Sequence, residues 1–111
     1  MQNLESGENL LDLAKLKSNT YISSENGGEV EYNGWSASDY MYVGNCKNLL
    51  VVSDNSSFLS SYNALYSEDK QTLRTVWIKK NKVTNDVLGQ FNVSISVLNL
   101  KKNEKYLRVS E

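Results

Sequence analysis

Turn signals recur along this chain every few residues, and the runs between them are too short and too rich in β-branched and aromatic residues to be helices. Asn26-Gly27-Gly28, Asn33-Gly34, Gly44-Asn45, Glu68-Asp69-Lys70 and Lys101-Lys102-Asn103 all break the chain, as does the polar run 53–57. Between them lie strand-like segments, about seven or eight in all, at the spacing of an all-β sandwich. No alternation of strands with helical patterns is present, which argues against a doubly wound fold. A β-sandwich and a small barrel both fit the periodicity.

The segments carry individual signals. Thr20-Tyr21-Ile22-Ser23 and Val30-Glu31-Tyr32 flank the paired glycines and predict a hairpin. Asn33-Gly34 predicts a second turn, after which residues 38–43 read as a strand. Residues 47–53 form a continuous apolar run, as in a strand buried on both faces. Residues 59–67 place Tyr62, Ala64 and Tyr66 on one face and Asn63 and Leu65 on the other. Residues 71–79 place Leu73, Thr75 and Trp77 opposite Arg74, Val76 and Ile78. Phe91, Val93, Ile95 and Val97 alternate with polar residues and predict a strand with those four toward the core. Residues 105–110 read as the closing strand. Leu10, Leu13 and Leu16 have helical spacing behind Asn9, yet too few residues follow for more than about one turn. Residues 79–89 read as a solvated polar loop, and 1–8 as a loose lead-in to a single domain over 9–111.

At 111 residues, one domain can bury a core without metal or disulfide support. Twelve basic against thirteen acidic residues leave a net charge of −1, which argues against nucleic acid and anionic membranes as partners. The chain has no histidine, which removes Ser-His-Asp and Cys-His catalysis and imidazole-based zinc sites. Cys46 is the one cysteine, expected to pack as a small hydrophobe. Three carboxylate pairs, Glu29-Glu31, Glu68-Asp69 and Asp39 with Asp54, come into question for hydrolysis, but the first two fall in or beside turns, where solvated charge is normal, and a domain this small rarely builds a deep substrate cleft, so no enzyme is expected. Asp54, Asn55, Glu68 and Asp69 are oxygen donors of the kind calcium takes, but EF-hand spacing is absent and no cofactor is expected.

What remains is recognition. Trp77, Tyr62 and Tyr66 could serve as stacking platforms for sugar rings, with Asn63, Arg74 and Asp69 as hydrogen-bonding partners. Tyr66 and Trp77 fit equally well as core residues with satisfied polar atoms. The aromatic-rich stretch 35–43 is read as scaffold, with Trp35 anchoring the approach to the sheet and Asp39 holding a strand end.

Five segments in order carry a resemblance: Asn9-Leu10-Leu11-Asp12; Tyr21-Ile22 with Asn26-Gly27; Trp35-Ser36-Ala37-Ser38-Asp39-Tyr40-Met41-Tyr42-Val43; Tyr62-Asn63-Ala64-Leu65-Tyr66-Ser67-Glu68-Asp69-Lys70; and Lys105-Tyr106-Leu107-Arg108-Val109-Ser110. Together they resemble the jelly-roll carbohydrate-binding-like domains of tail and baseplate proteins from phages of Gram-positive bacteria. Leu65 stands where that family has an aromatic, Ser67 where it has Asp, and no proline-rich segment follows the third motif. The resemblance implies an eight-stranded antiparallel jelly roll, resembling carbohydrate-binding modules. It implies a non-catalytic virion protein that adheres to cell-wall or surface polysaccharide and docks on other baseplate proteins. The alternative within that setting is a purely structural docking module, for which Tyr42, Phe58 and Leu59 would supply an apolar patch.

Overall fold

The strands stack in layers about a central antiparallel sheet, and the alternation of side chains along that sheet decides what packs on each side. The computed structural model describes residues 10–53, 62–78, 82–84 and 92–110. The lead-in 1–8, the loop 54–57, the patch residues Phe58 and Leu59, Phe91 and most of the 79–89 loop lie outside the described residues.

Among the described residues there are nine strands: β1 (Lys17–Ile22), β2 (Glu29–Ala37), β3 (Met41–Tyr42), β4 (Asn48–Ser53), β5 (Asn63–Tyr66), β6 (Thr72–Val76), β7 (Lys82–Thr84), β8 (Asn92–Asn99) and β9 (Tyr106–Arg108). All pairings are antiparallel. The central sheet runs β3-β9-β5-β6, a three-stranded sheet runs β4-β8-β7, and β1-β2 is a hairpin joined to the centre by an Ala37–Ser110 bridge. The leucine-rich start gives one short 3-10 turn, Leu13–Lys15, with Asp12 Oδ1 accepting the Ala14 N–H at 3.0 Å.

One face of the central sheet is aliphatic. Leu65, Val76, Leu107 and Val109 pack with Met41, Val43 and Ile78 and with Leu49 of β4. Leu98, Leu100, Leu10, Leu11 and Cys46 pack at the margins, Cys46 as a small hydrophobe. The other face packs on the hairpin through Ile22, Ala37, Ala64 and Tyr66, with Tyr40 and Tyr106 beside them. The expected split of residues 62–66 is therefore present, but both of its faces are buried.

This second face is threaded with polar groups. Arg108 donates from Nε to Ser38 O at 2.8 Å, pairs with Glu29 at 2.9 Å and lies over the Tyr40 ring. Ser38 Oγ accepts the Val109 N–H, and Ser110 Oγ accepts that of Ile22 while donating to Tyr62 O. Among the described residues no buried side-chain nitrogen or oxygen lacks a partner. That matters because an unpaired buried polar group costs about 1–3 kcal/mol.

Four sequence expectations need correction. Residues 82–84, expected within a solvated polar loop over 79–89, form β7 and pair with β8. Asn33-Gly34 does not turn the chain but lies inside β2. The strand signal over 38–43 shrinks to Met41–Tyr42, because Ser38 is committed to Val109 and Asp39 Oδ1 accepts the Tyr40 N–H. On β8, at the end whose side chains are described, Leu98 packs against the core and Val97 is 57 % exposed, the reverse of the expected facing. Both positions are apolar there, so alternation alone did not choose between them; the Leu49–Leu98 pairing does.

Candidate binding surface

The hairpin turn is built as its sequence requires. Gly27 takes φ +71°, Ser23 N donates to Gly28 O at 2.8 Å, and Asn26 Oδ1 accepts the Gly28 N–H at 2.8 Å. Further along, the β1–β2 register jumps. Thr20 pairs with Glu31 but Ser18 pairs with Ser36, so Tyr32, Asn33, Gly34 and Trp35 stand opposite Asn19 alone. Asn19 (φ +55°) and Gly34 (φ +94°) absorb the bulge, and Asn19 Oδ1 accepts the Gly34 N–H at 3.4 Å. A left-handed turn signal has been used within a strand, where a bulge bends the chain and re-aims its side chains.

The bulge carries two aromatic residues into a cluster. The Tyr21 ring lies 6.1 Å from Tyr32, 5.7 Å from Trp35 and 5.1 Å from Tyr62, and Trp35 lies 4.9 Å from Tyr62 edge to face. These separations suit mutual edge and tilted packing, which fixes the rings. Tyr21, Trp35 and Tyr62 are half-buried, whereas Tyr32 is 60 % exposed. Trp77 belongs beside them by register. The last β5–β6 rung is Asn63–Val76, so Tyr62 and Trp77 are the next positions along these two neighbouring strands. Trp77 is 67 % exposed. A cavity of about 400 Å³ lies along the same hairpin, lined by Lys17, Asn19, Thr20, Glu29 and Glu31, but Glu31 pairs with buried Thr20 and so points to the opposite face from Tyr21 and Tyr32.

The six residues singled out from the sequence do not form one site. Tyr62 and Trp77 are neighbours by register, one position beyond the last β5–β6 rung. Tyr66 is 1 % exposed and donates from its hydroxyl to Gly27 O at 2.7 Å. Burial raises its pKa, so it is a neutral core tyrosine and not a stacking platform. Asn63 is fully buried, donating to Val76 O and accepting from Ser110 N, which makes it a tie between strands. Arg74 leaves the aromatic side altogether. It donates to both Glu104 oxygens, at 2.5 and 3.0 Å, and to Asn99 O at 2.9 Å. Asp69 accepts from Ser67 Oγ in the β5–β6 turn, at the far end of those strands from Tyr62 and Trp77.

Tyr21, Tyr32 and Trp35 were not assigned to the surface from the sequence. The signal that could have found them is the bulge pairing of Asn19 with Asn33-Gly34, two left-handed-tolerant sites facing each other across a hairpin. Among the described residues no three His, Cys, Asp or Glu side chains gather as a metal site. Compared with family models, curated proteins and solved structures, the chain matches none.

Proposed function

We propose that this chain is a non-catalytic saccharide-binding domain whose platform is the aromatic surface of Tyr21, Tyr32, Trp35, Tyr62 and Trp77. The observation that carries the reading is this surface itself. Two of its rings are majority-exposed, and the other three pack on one another, Trp35 on Tyr62 edge to face and Tyr21 tilted against both. Aromatic faces left open on a rigid support offer apolar area at little entropic cost, which is what the C–H faces of pyranose rings require. The hydroxyls of Tyr21 and Tyr32 on the same surface supply acceptors and donors for sugar hydroxyl groups.

The order of the motifs from Asn9 to Ser110 extends this proposal to a virion role. In that role the domain, a jelly-roll sandwich like those of carbohydrate-binding modules, sits in a phage tail or baseplate. There it holds surface polysaccharide of a Gram-positive host, with weak sites multiplied by copies on the particle. The test is binding of a multimerised domain to a glycan panel and to host cells, with Trp77→Ala alongside. Retention on saccharide that Trp77→Ala abolishes, with the fold intact, supports the reading. A blank panel together with blank cells overturns it.

A further inference from the structure

The end of the molecule away from the aromatic surface has a different chemistry. β9 pairs with β5 so that Tyr106 faces Tyr66, and the Lys105 N–H donates to Tyr66 O at 2.9 Å. Lys105 therefore lies beyond the Tyr66 end of the central sheet, with Tyr62 at the opposite end. An open cleft of about 620 Å³ sits there, between the loop after β3 and the loop between β8 and β9. Lys47, Lys101, Lys102 and Lys105 line it, with Asn48 and Asn99, so every charged side chain on its wall is positive.

Both loops are tied in place. Val43 N donates to Lys105 O at 2.7 Å, Leu100 N to Lys47 O at 2.8 Å, and Glu104 N to Lys101 O at 3.1 Å. The carboxylate that belongs to this lysine loop is withdrawn from it. Glu104 is 3 % exposed and is consumed by Arg74 and by the Lys101 N–H at 2.7 Å. A third of the chain's twelve basic residues thus converge on one cleft of a chain whose net charge is −1; the carboxylate of their own loop is turned inward, and the exposed Glu68 and Asp69 lie in an adjoining pocket that meets this cleft only at Lys105. Like charges gathered on a cleft wall focus its potential and favour a multiply charged anion within it.

We propose that this cleft binds a compact, multiply charged phosphate compound. Lysine ammonium groups are point charges that suit phosphate oxygens without demanding a planar fork. The Asn48 and Asn99 amides, on paired positions of β4 and β8, add neutral donors. A nucleic-acid strand would need a continuous basic track, whereas these four lysines gather around a single cleft. The inference is independent of the saccharide surface, which lies at the other end of the sheet.

The test is an amide-resolved NMR titration of the whole chain with sodium tripolyphosphate, with a single-stranded oligonucleotide in parallel. Shifts confined to residues 44–48 and 99–105 are expected, with affinity falling as salt rises from about 50 to about 300 mM. The double variant Lys47→Gln/Lys102→Gln, at exposed positions that leave the spectrum folded, should weaken binding at least about tenfold, while Lys15→Gln leaves it within about twofold. Three results overturn the proposal: no shifts at millimolar tripolyphosphate, equal weakening by Lys15→Gln, or tighter binding of the oligonucleotide than of tripolyphosphate.

Discussion

The two faces of the central sheet are held by different physics. Toward β4 and β8 the contact is aliphatic, made by Leu65, Leu107, Val109 and Leu49, and it is specified by volume. Toward the hairpin it is mixed, with Tyr66, Arg108, Ser38 and Ser110 each directed to a named partner. An aliphatic face tolerates repacking of similar volume, whereas hydrogen bonds of fixed direction accept one placement. The hairpin that carries Tyr21, Tyr32 and Trp35 is thus seated by the more directional of the two contacts. This fits a surface whose rings must be held in register with Tyr62 and Trp77.

Substitutions can separate the two. The largest effect is expected on the aliphatic face, where Leu107→Ala should cost about 2–5 kcal/mol in denaturant unfolding. Next comes the ion pair at the edge of that face. Glu104→Gln weakens the charge-assisted hydrogen bonds to half-buried Arg74 and should cost about 1–3 kcal/mol.

The same residue shapes the acid limb. Burial by itself would raise the Glu104 pKa, but the hydrogen bonds from Arg74 and Lys101 N outweigh it, and the carboxyl lies below its ordinary value. Glu29 is also lowered, chiefly by its hydrogen bond from Lys17 and then by Arg108. A depressed carboxyl adds stability that is complete above its unfolded pKa, about 4.3, and is lost as pH falls through the folded value. Stability should therefore hold at neutral pH and fall below about pH 4. Glu104→Gln should flatten that limb more than Glu29→Gln does, because Glu29 is the more exposed of the two.

On the hairpin face, Tyr66→Phe keeps the ring and removes the bond to Gly27 O. A loss of about 1–2 kcal/mol is expected, together with faster hydrogen exchange at residues 23–28 than Leu107→Ala causes at matched stability. The smallest effect on folding is expected from Tyr32→Ala, within about 0.5 kcal/mol because most of the ring is in solvent. Saccharide retention should nevertheless fall with it. If stability and retention fell together in proportion, Tyr32 would be a packing residue and the contrast between support and surface would fail.

The aliphatic face was largely legible in the sequence. Leu65 opposite Ala64 and Tyr66, and Val76 and Ile78 opposite Trp77, alternate as strands must, and the structure keeps each on its expected side. The polar face was not. Nothing local to Asn63 or Arg74 distinguishes a solvent-facing amide or guanidinium from one committed to Ser110, Glu104 or Asn99, partners tens of residues away. Asn33-Gly34 misled for a related reason. A residue pair that tolerates positive φ serves a turn or a bulge equally well, and only the pairing with Asn19 decides.

Both tryptophans of the chain, Trp35 and Trp77, are on the proposed surface, one half-buried and one open. Their indole Nε1–H resonances are therefore two reporters at the proposed site, and a saccharide titration that follows both tests the central claim most directly. The account predicts that both move with one saturating curve, Trp77 more than Trp35. Saccharide binding that leaves both indole resonances unmoved would contradict it.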